Sequence, residues 1–302
     1  MLECIVVGYI GIGRTIIPRL QKSMLRCVDS RLLLCQMIDI VVSKIVIFPI
    51  KSLDGISVSE ALFVPSGALE HDREFALYDE AGRWINGKRD ARIQTIRTDF
   101  DLSRFTVNVT SPGQPERQIF HMVDDQSALE AWFSSALDMP VFIKRDQLSG
   151  FPDDIHAGGP TIISTGTIVE ISSWFGISDY LETRRRFRAN IELSADMPFW
   201  EDRLFGPPRS EIPFCIGEAH FRGVGPCKRC IVPVRNSITG DETIDFQKTF
   251  TSHRNSTFPP WSNLARFGPL MYRVAINTRL ADGQAGKRIK VGDPVNLAQE
   301  IM

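Results

Sequence analysis

β-Branched and apolar positions crowd residues 38–49, the signature of a first strand, and Lys51-Ser52-Leu53-Asp54-Gly55 supplies a turn after it. Residues 58–64 and 74–78 read as further strands, with Asp79-Glu80-Ala81-Gly82 as a hairpin turn leading to Trp84-Ile85. Two more short strands are expected over 93–97 and 105–110. Strands this dense, with turns between them, predict a small antiparallel sheet or barrel. The period changes at 125–137, where Ala128/Leu129, Trp132/Phe133 and Ala136/Leu137 fall on one stripe. That spacing predicts a helix, capped by Asp124 or Asp125.

Residues 150–160 carry glycines and prolines and are the expected domain seam. The chain then divides into a leader (1–37), a β-barrel domain (38–150) and a second domain (151–302). A helix over 167–175 would put Ile168, Ile171, Trp174 and Phe175 on one face, with Gly176 past its end. Ser164 and Thr165 stand where it begins, either as plain caps or as a seat for phosphate. A short helix from Ser178 leads into Arg184-Arg185-Arg186-Phe187-Arg188-Ala189-Asn190-Ile191, which passes into a strand. Residues 214–221 read as one strand. In 221–233, Gly223, Gly225, Pro226 and Pro233 oppose a regular helix and predict an irregular segment entering a short strand. Residues 241–260 are polar and read as a long loop, before closing strands at 270–277 and 288–297 with a Gly292-Asp293-Pro294 turn. The fold class expected is predominantly β with α (α+β), a small β-barrel domain packed on a second β-barrel domain with peripheral helices.

Composition narrows the function. A formal net charge of −1 over 302 residues argues against a nucleic-acid binder driven by bulk charge, so any anion site is local. Six unevenly spread cysteines do not form a disulfide framework, and reduced thiols in a cytoplasmic setting are expected. Residues 1–36 differ from the rest, holding Arg14, Arg19, Lys22, Arg26 and Arg31 against two acids, Glu3 and Asp29. Such a leader resembles an organelle-targeting peptide in composition, although Glu3 and Asp29 count against one. Its longest uncharged run, residues 4–13, is about half of the ~20 residues a membrane span needs. Gly8-Tyr9-Ile10-Gly11-Ile12-Gly13 is similar to a dinucleotide loop, but no third glycine stands at the required spacing. Met37 precedes the first strong strand, and residues 1–36 are expected to be dispensable.

The chemistry concentrates around Cys227 and Cys230, three residues apart and flanking Lys228 and Arg229. Neighbouring cations lower a thiol pKa, and a thiolate binds soft metals or attacks electrophiles; buried, inert cysteines are the alternative. Cys215, His220, Cys227 and Cys230 could supply four zinc ligands, but on one strand the first two would face opposite sides. Lys51, Arg73, Lys88 and Arg188 are each either solvated charges or anion contacts. Arg73 and Arg188 stand out because each moves from a turn into an apolar run, where a guanidinium needs an anion. Together with one thiolate, they point to a phosphorylated ligand with a soft metal at its other end. Glu201 and Asp202 offer acid/base groups, or partners that hold the arginines.

These residues resemble the MOSC superfamily (molybdenum cofactor sulfurase C-terminal domain) preceded by its β-barrel domain, and among them the amidoxime-reducing component family and its bacterial relatives. The resemblance covers about residues 38–297. It rests on Pro49-Ile50-Lys51-Ser52 with Val58-Ser59-Glu60-Ala61, on Asp72-Arg73-Glu74-Phe75 and on Phe187-Arg188-Ala189-Asn190-Ile191. Pro198-Phe199-Trp200-Glu201-Asp202, Pro226-Cys227-Lys228-Arg229-Cys230 and Val291-Gly292-Asp293-Pro294-Val295 complete it. It implies a molybdenum cofactor (molybdopterin) with Cys227 as metal ligand and catalytic centre, and Asn190 and Asp202 as catalytic companions. Lys51, Ser52, Arg73, Ser164, Thr165, Arg188 and Asn190 would hold the pterin and its phosphate. Lys88 falls where relatives tend to have Arg, Ala189 where they often have Pro, and Cys230 is a nearby non-ligand. The implied activity is reduction of N-hydroxylated or N-oxide compounds. With no spacing suited to an iron–sulfur cluster or flavin, a separate iron–sulfur, flavin or haem electron donor is implied. Two rivals remain: a cofactor or sulfur carrier of the sulfurase type, whose pyridoxal-phosphate domain would need several hundred further residues, and a zinc-stabilised binding module.

Overall fold

The computed structural model describes residues 40–154, 156–269 and 271–297. The expectations for the leader and for Met37 lie outside these. Eight strands form the main sheet. β1 (Val42–Ile47) alternates as a half-buried strand should, with Val42, Ile45 and Ile47 in the core. It pairs with β2 (Ile56–Val58), after which β3 (Glu60–Leu62) and β4 (Phe75–Tyr78) run elsewhere. The segment expected as a strand at 93–97 is instead a 3-10 turn, Ala91–Thr95, because the Asp90 side chain caps Arg92 N. A three-stranded layer follows, of β5 (Arg97–Asp101), β6 (Thr106–Ser111) and β7 (Gln114–His121). The helix α1 (Gln126–Leu137) buries Leu129, Trp132, Phe133 and Leu137 against it. Asp125 sits at its N-cap position, but its carboxylate accepts from His121 N at 2.8 Å rather than from the helix. β8 (Phe142–Arg145) pairs with β4.

Beyond the 150–160 link come β9 (Ile162–Ser164), α2 (Thr165–Trp174), α3 (Tyr180–Phe187) and β10 (Ile191–Leu193). β11 (Ile212–Ile216) and β12 (Ala219–Lys228) form a hairpin, not the single strand expected over 214–221. Gly217, at φ +53°, makes the tight reversal that one uninterrupted apolar run conceals. The rest is α4 (Phe246–Ser256), β13 (Arg273–Leu280), β14 (Arg288–Lys290) and β15 (Val295–Leu297). α4 replaces the loop expected over 241–260. It buries Phe246, Phe250 and Arg254, a four-residue spacing hidden by polar neighbours.

The main sheet runs β15-β11-β12-β13-β9-β10-β1-β2, so strands from before the 150–160 link share it with strands from after. The described residues thus hold more strand than helix, with four α-helices, an α+β fold. Its core faces are Ile45, Ile162, Ile191, Phe214, Phe221 and Ile276 on one side, and Ile168, Ile171, Phe187, Phe246 and Phe250 on another. Backbones approach so closely at Gly223 that a Cβ would lie 1.6 Å from the Leu204 carbonyl oxygen. No helix among the described residues is long and apolar enough to cross a membrane.

Candidate functional site

A cavity of about 280 Å³ opens where the turn after β1, the approach to β4, the 152–159 segment, the α3–β10 junction and the end of β12 converge. Eight cationic side chains and four carboxylates line it, so its field favours an anion. Cys227 reaches it through an interruption in the β12–β13 ladder. The register shifts between Gly223 and Gly225 and again between Pro226 and Lys228, and Ala275 opposite takes φ +63°. Such bulges re-aim side chains and accommodate a strand proline. The segment is therefore a strand that ends in a turn, the reverse of the order expected.

The Cys227 side chain is buried, and its Sγ contacts Asn277 Oδ1. Burial pushes its pKa up to about 11, against the pull of Arg229 and Arg73. This corrects the expectation of a cation-lowered thiol: desolvation outweighs the cations, and the sulfur carries its proton unless something displaces it. Cys230 also lines the cavity. Cys215 and His220 are direct cross-strand partners in the β11–β12 hairpin, not on opposite faces. Neither lines the cavity, and among the described residues no three His, Cys, Asp or Glu side chains gather to hold a metal.

Arg73 and Arg188 come together although they lie more than a hundred residues apart. Both guanidiniums rest over the Phe48 ring, at 5.3 and 4.2 Å from its centroid. Arg73 contacts Asp72 and Asn190 Oδ1, and Arg188 Nη1 donates to Leu53 O at 2.6 Å. Burial, and then the Arg73 charge, push the Arg188 guanidinium down to about 10. Ser52 and Lys88 line the same cavity, and among the described residues neither the Ser52 hydroxyl nor the Lys88 ammonium makes a hydrogen bond. Arg229 joins them with a buried Nε that lacks a partner.

Several expected residues play other parts. Lys51 does not line the cavity. Its buried ammonium donates to Phe151 O (2.8 Å) and Pro152 O (3.2 Å), pairs with Asp153 (3.0 Å) and sits 4.5 Å from the Trp84 ring centroid. It thereby clamps the segment that forms one wall. Asn190 lines the cavity, but its amide is engaged inside the protein. Nδ2 donates to Val46 O and Asp72 Oδ1, and Oδ1 accepts from Thr161, so no donor is left for a ligand.

Ser164 and Thr165 lie elsewhere. Ser164 caps α2, and its N and Oγ both donate to Glu201, while Thr165 Oγ1 donates to Glu192. A carboxylate already occupies that helix start, which rules against a phosphate seat there. Asp202 is also remote from the cavity, buried against Arg254. Arg254 lies over the Phe199 ring at 3.6 Å, and its burial explains why a carboxylate follows Trp200 and Glu201. Sequence reading missed Asp153, Asp154 and Asn277. Asp154 and Asn277 hydrogen-bond at 3.2 Å beside the sulfur, and no local pattern marks them.

Comparison with known proteins finds relatives of this chain. The chain is 25% identical to the molybdenum cofactor sulfurase of Oryza sativa subsp. japonica, over 64% of this chain and 28% of that protein. It is likewise 25% identical to that of Danio rerio, over 61% of this chain and 27% of the relative. The chain thus spans little more than a quarter of the length of these curated relatives. The crystal structure of the YUAD protein from Bacillus subtilis aligns over 85% of this chain and 94% of its own, at 14% identity and a TM-score of 0.34. The family model of the MOSC N-terminal beta barrel domain matches residues 39–146 and that of the MOSC domain residues 162–296, and the chain belongs to this family of MOSC-domain proteins.

Proposed function

We propose that this protein binds a molybdenum–pterin cofactor through Cys227 and reduces N-hydroxylated or N-oxide compounds, with electrons from a separate donor protein. One observation carries the reading: a buried thiol and two guanidiniums from distant segments, packed on a single ring, share one cavity. Asp72 pairs with Arg73, but among the described residues no carboxylate forms an ion pair with Arg188, and a guanidinium fork suits phosphate. The Arg229 Nε and the Ser52 hydroxyl, both without a hydrogen-bond partner among the described residues, add donors for the same anion. A cysteine sulfur in the same lining is a ligand for a soft metal. The residues present therefore fit a group with a phosphate at one end and a thiophilic metal at the other.

When bound, that group supplies a two-electron couple able to accept an oxygen atom from the substrate. The protein's share is to bind and orient. Cys227 gives up its proton on ligation, Arg73 and Arg188 fix the anionic end, and Lys51 holds the 151–153 segment in place as a wall. Conversion of an N-hydroxylated compound to its amine consumes two electrons and two protons and releases water.

The named relatives favour a second reading, in which the chain holds the cofactor or its sulfur for another enzyme without turnover. Metal analysis of the purified full chain, with anaerobic assay of N-oxide reduction, separates the two. About one molybdenum per chain with turnover supports the reductase, molybdenum without turnover the carrier, and zinc alone overturns both. Cys227→Ser should abolish turnover and alter the metal's absorption, while Cys230→Ser keeps most of each; the reverse result would exchange the two thiols' roles.

A further inference from the structure

A second cavity, of about 350 Å³, lies next to the first and is not used by the function proposed above. The two share Asp54, Arg185 and Phe187 as walls. The lining of the second is largely apolar, with Val46, Phe48, Ile163, Ile168 and Phe187 contributing, and its size falls in the range of small-molecule sites.

Its polar groups are unevenly matched. Asp54 is held by Arg97 at 3.0 Å and by Thr98 N at 3.1 Å. Glu192 takes two bonds from Arg184, both at 2.7 Å. Lys44 and Arg185 have no hydrogen-bond or ion-pair partner among the described residues, and the one unpaired acid on the lining, Asp99, is solvent-exposed. Thr98 Oγ1 is buried with no partner. An apolar chamber with two unmatched cations and an orphaned hydroxyl is complementary to an apolar body bearing one anionic group.

We propose that this cavity binds a small amphiphilic carboxylate. Its acid group is held by Lys44 and Arg185, its aliphatic or aromatic body lies against Phe48, Phe187 and Ile168, and Thr98 offers a hydrogen bond. The site does not depend on molybdenum, so it stands or falls separately from the cofactor reading. It does share supports with the first cavity: Arg188 and Arg73 rest on Phe48, and Arg229 lies 5.4 Å from the Phe187 ring centroid.

The test is calorimetric titration of the metal-free full chain with octanoate, octan-1-ol and octylamine, which keep the chain and vary the head group. Octanoate should bind at least tenfold more tightly than octanol, and octylamine should not bind. Lys44→Gln should weaken octanoate tenfold or more. Leu181→Trp, at a half-exposed rim position that tolerates bulk, should weaken it by obstruction. Lys228→Ala, at an exposed position that lines only the first cavity, should leave octanoate affinity unchanged. Equal binding of octanoate and octanol, no octanoate binding at all, unchanged affinity in both Lys44→Gln and Leu181→Trp, or loss in Lys228→Ala would overturn the proposal.

Discussion

Arg188→Met separates an anion-binding arginine from a structural one, because the two roles predict opposite changes in stability. Arg188 ends α3 at φ +54°, a left-handed position usually given to glycine, and Met inherits that strain of roughly 1 kcal/mol unchanged. What changes is the charge. Burial, with Arg73 adding to it, lowers the guanidinium from its ordinary value to about 10, which sets roughly 3 kcal/mol against the charged form in the fold. Partial exposure of the side chain trims that figure. Its contact with the Phe48 ring offsets roughly 1 kcal/mol, part of which a thioether retains, and its bond to Leu53 O offsets roughly 1.5 kcal/mol more. The net expectation is that the metal-free variant is at least as stable as the parent, by up to about 1 kcal/mol. Since the penalty is present at every pH below the folded value of about 10, the gain should be level from pH 6 to 9.

Urea denaturation in a phosphate-free buffer reads this directly. Adding inorganic phosphate should stabilise the parent by mass action and leave Arg188→Met almost unmoved. A loss of 2 kcal/mol or so in the variant without anion, or an equal phosphate response in both proteins, would refute the counter-ion argument.

Three further outcomes follow from the same structure. Burial, then Asp202, raise the Glu201 carboxyl to about 7, so the stability it contributes is complete below its ordinary value of 4.5 and is lost as pH climbs through 7. Between pH 5 and 8 the parent should therefore lose roughly 2–3 kcal/mol relative to Glu201→Gln, and parallel urea midpoints across that range would contradict it. Lys51→Met should cost about 2 kcal/mol and speed hydrogen exchange at the Phe151 and Asp153 amides, whereas slow exchange there would mean the clamp is dispensable. In metal-free protein at pH 8, iodoacetamide should modify Cys227 about a hundredfold more slowly than a thiol of ordinary pKa, as a value near 11 against 9.0 requires. Comparable rates would show the sulfur to be open to water.

Where one face of an element is apolar and the other polar, the sequence announced it. β1, α1 and the Ser164 cap of α2 all stand within a few residues of where periodicity and capping put them. β7 escaped notice because its exposed run, Gln-Pro-Glu-Arg-Gln, has no alternation to detect. α4 did so because only every fourth residue is buried, and one of those is an arginine. Long-range pairing was the larger blind spot. Nothing near Asp202 predicts Arg254, and nothing near Cys227 predicts Asn277. The acids after Trp200 thus looked available for chemistry when one of them neutralises a guanidinium in the core. The thiol misled in the same way: adjacent cations in sequence suggested acidity, while desolvation, which depends on everything packed around it, decides the outcome.

The site residues that sequence did single out share a property visible only in the backbone. Ser52, Arg73 and Arg188 all adopt left-handed conformations, at φ 74°, 55° and 54°. Each costs on the order of 1 kcal/mol, and such residues persist only where neighbours over-determine them. Phe48 supplies much of that constraint. Its carbonyl oxygen accepts from Arg73 N at 2.8 Å, its N donates to Asp72 Oδ1 at 2.9 Å, and its ring carries both guanidiniums. The chain therefore bears backbone strain and charge repulsion at one point and directs other groups to keep them there. Asp72 answers the Arg73 charge and Leu53 O accepts from Arg188, but among the described residues no carboxylate forms an ion pair with Arg188, whose own strain and charge a glycine would remove. A buried cation kept at a strained position without a paired carboxylate is most simply explained as one kept for binding an external anion.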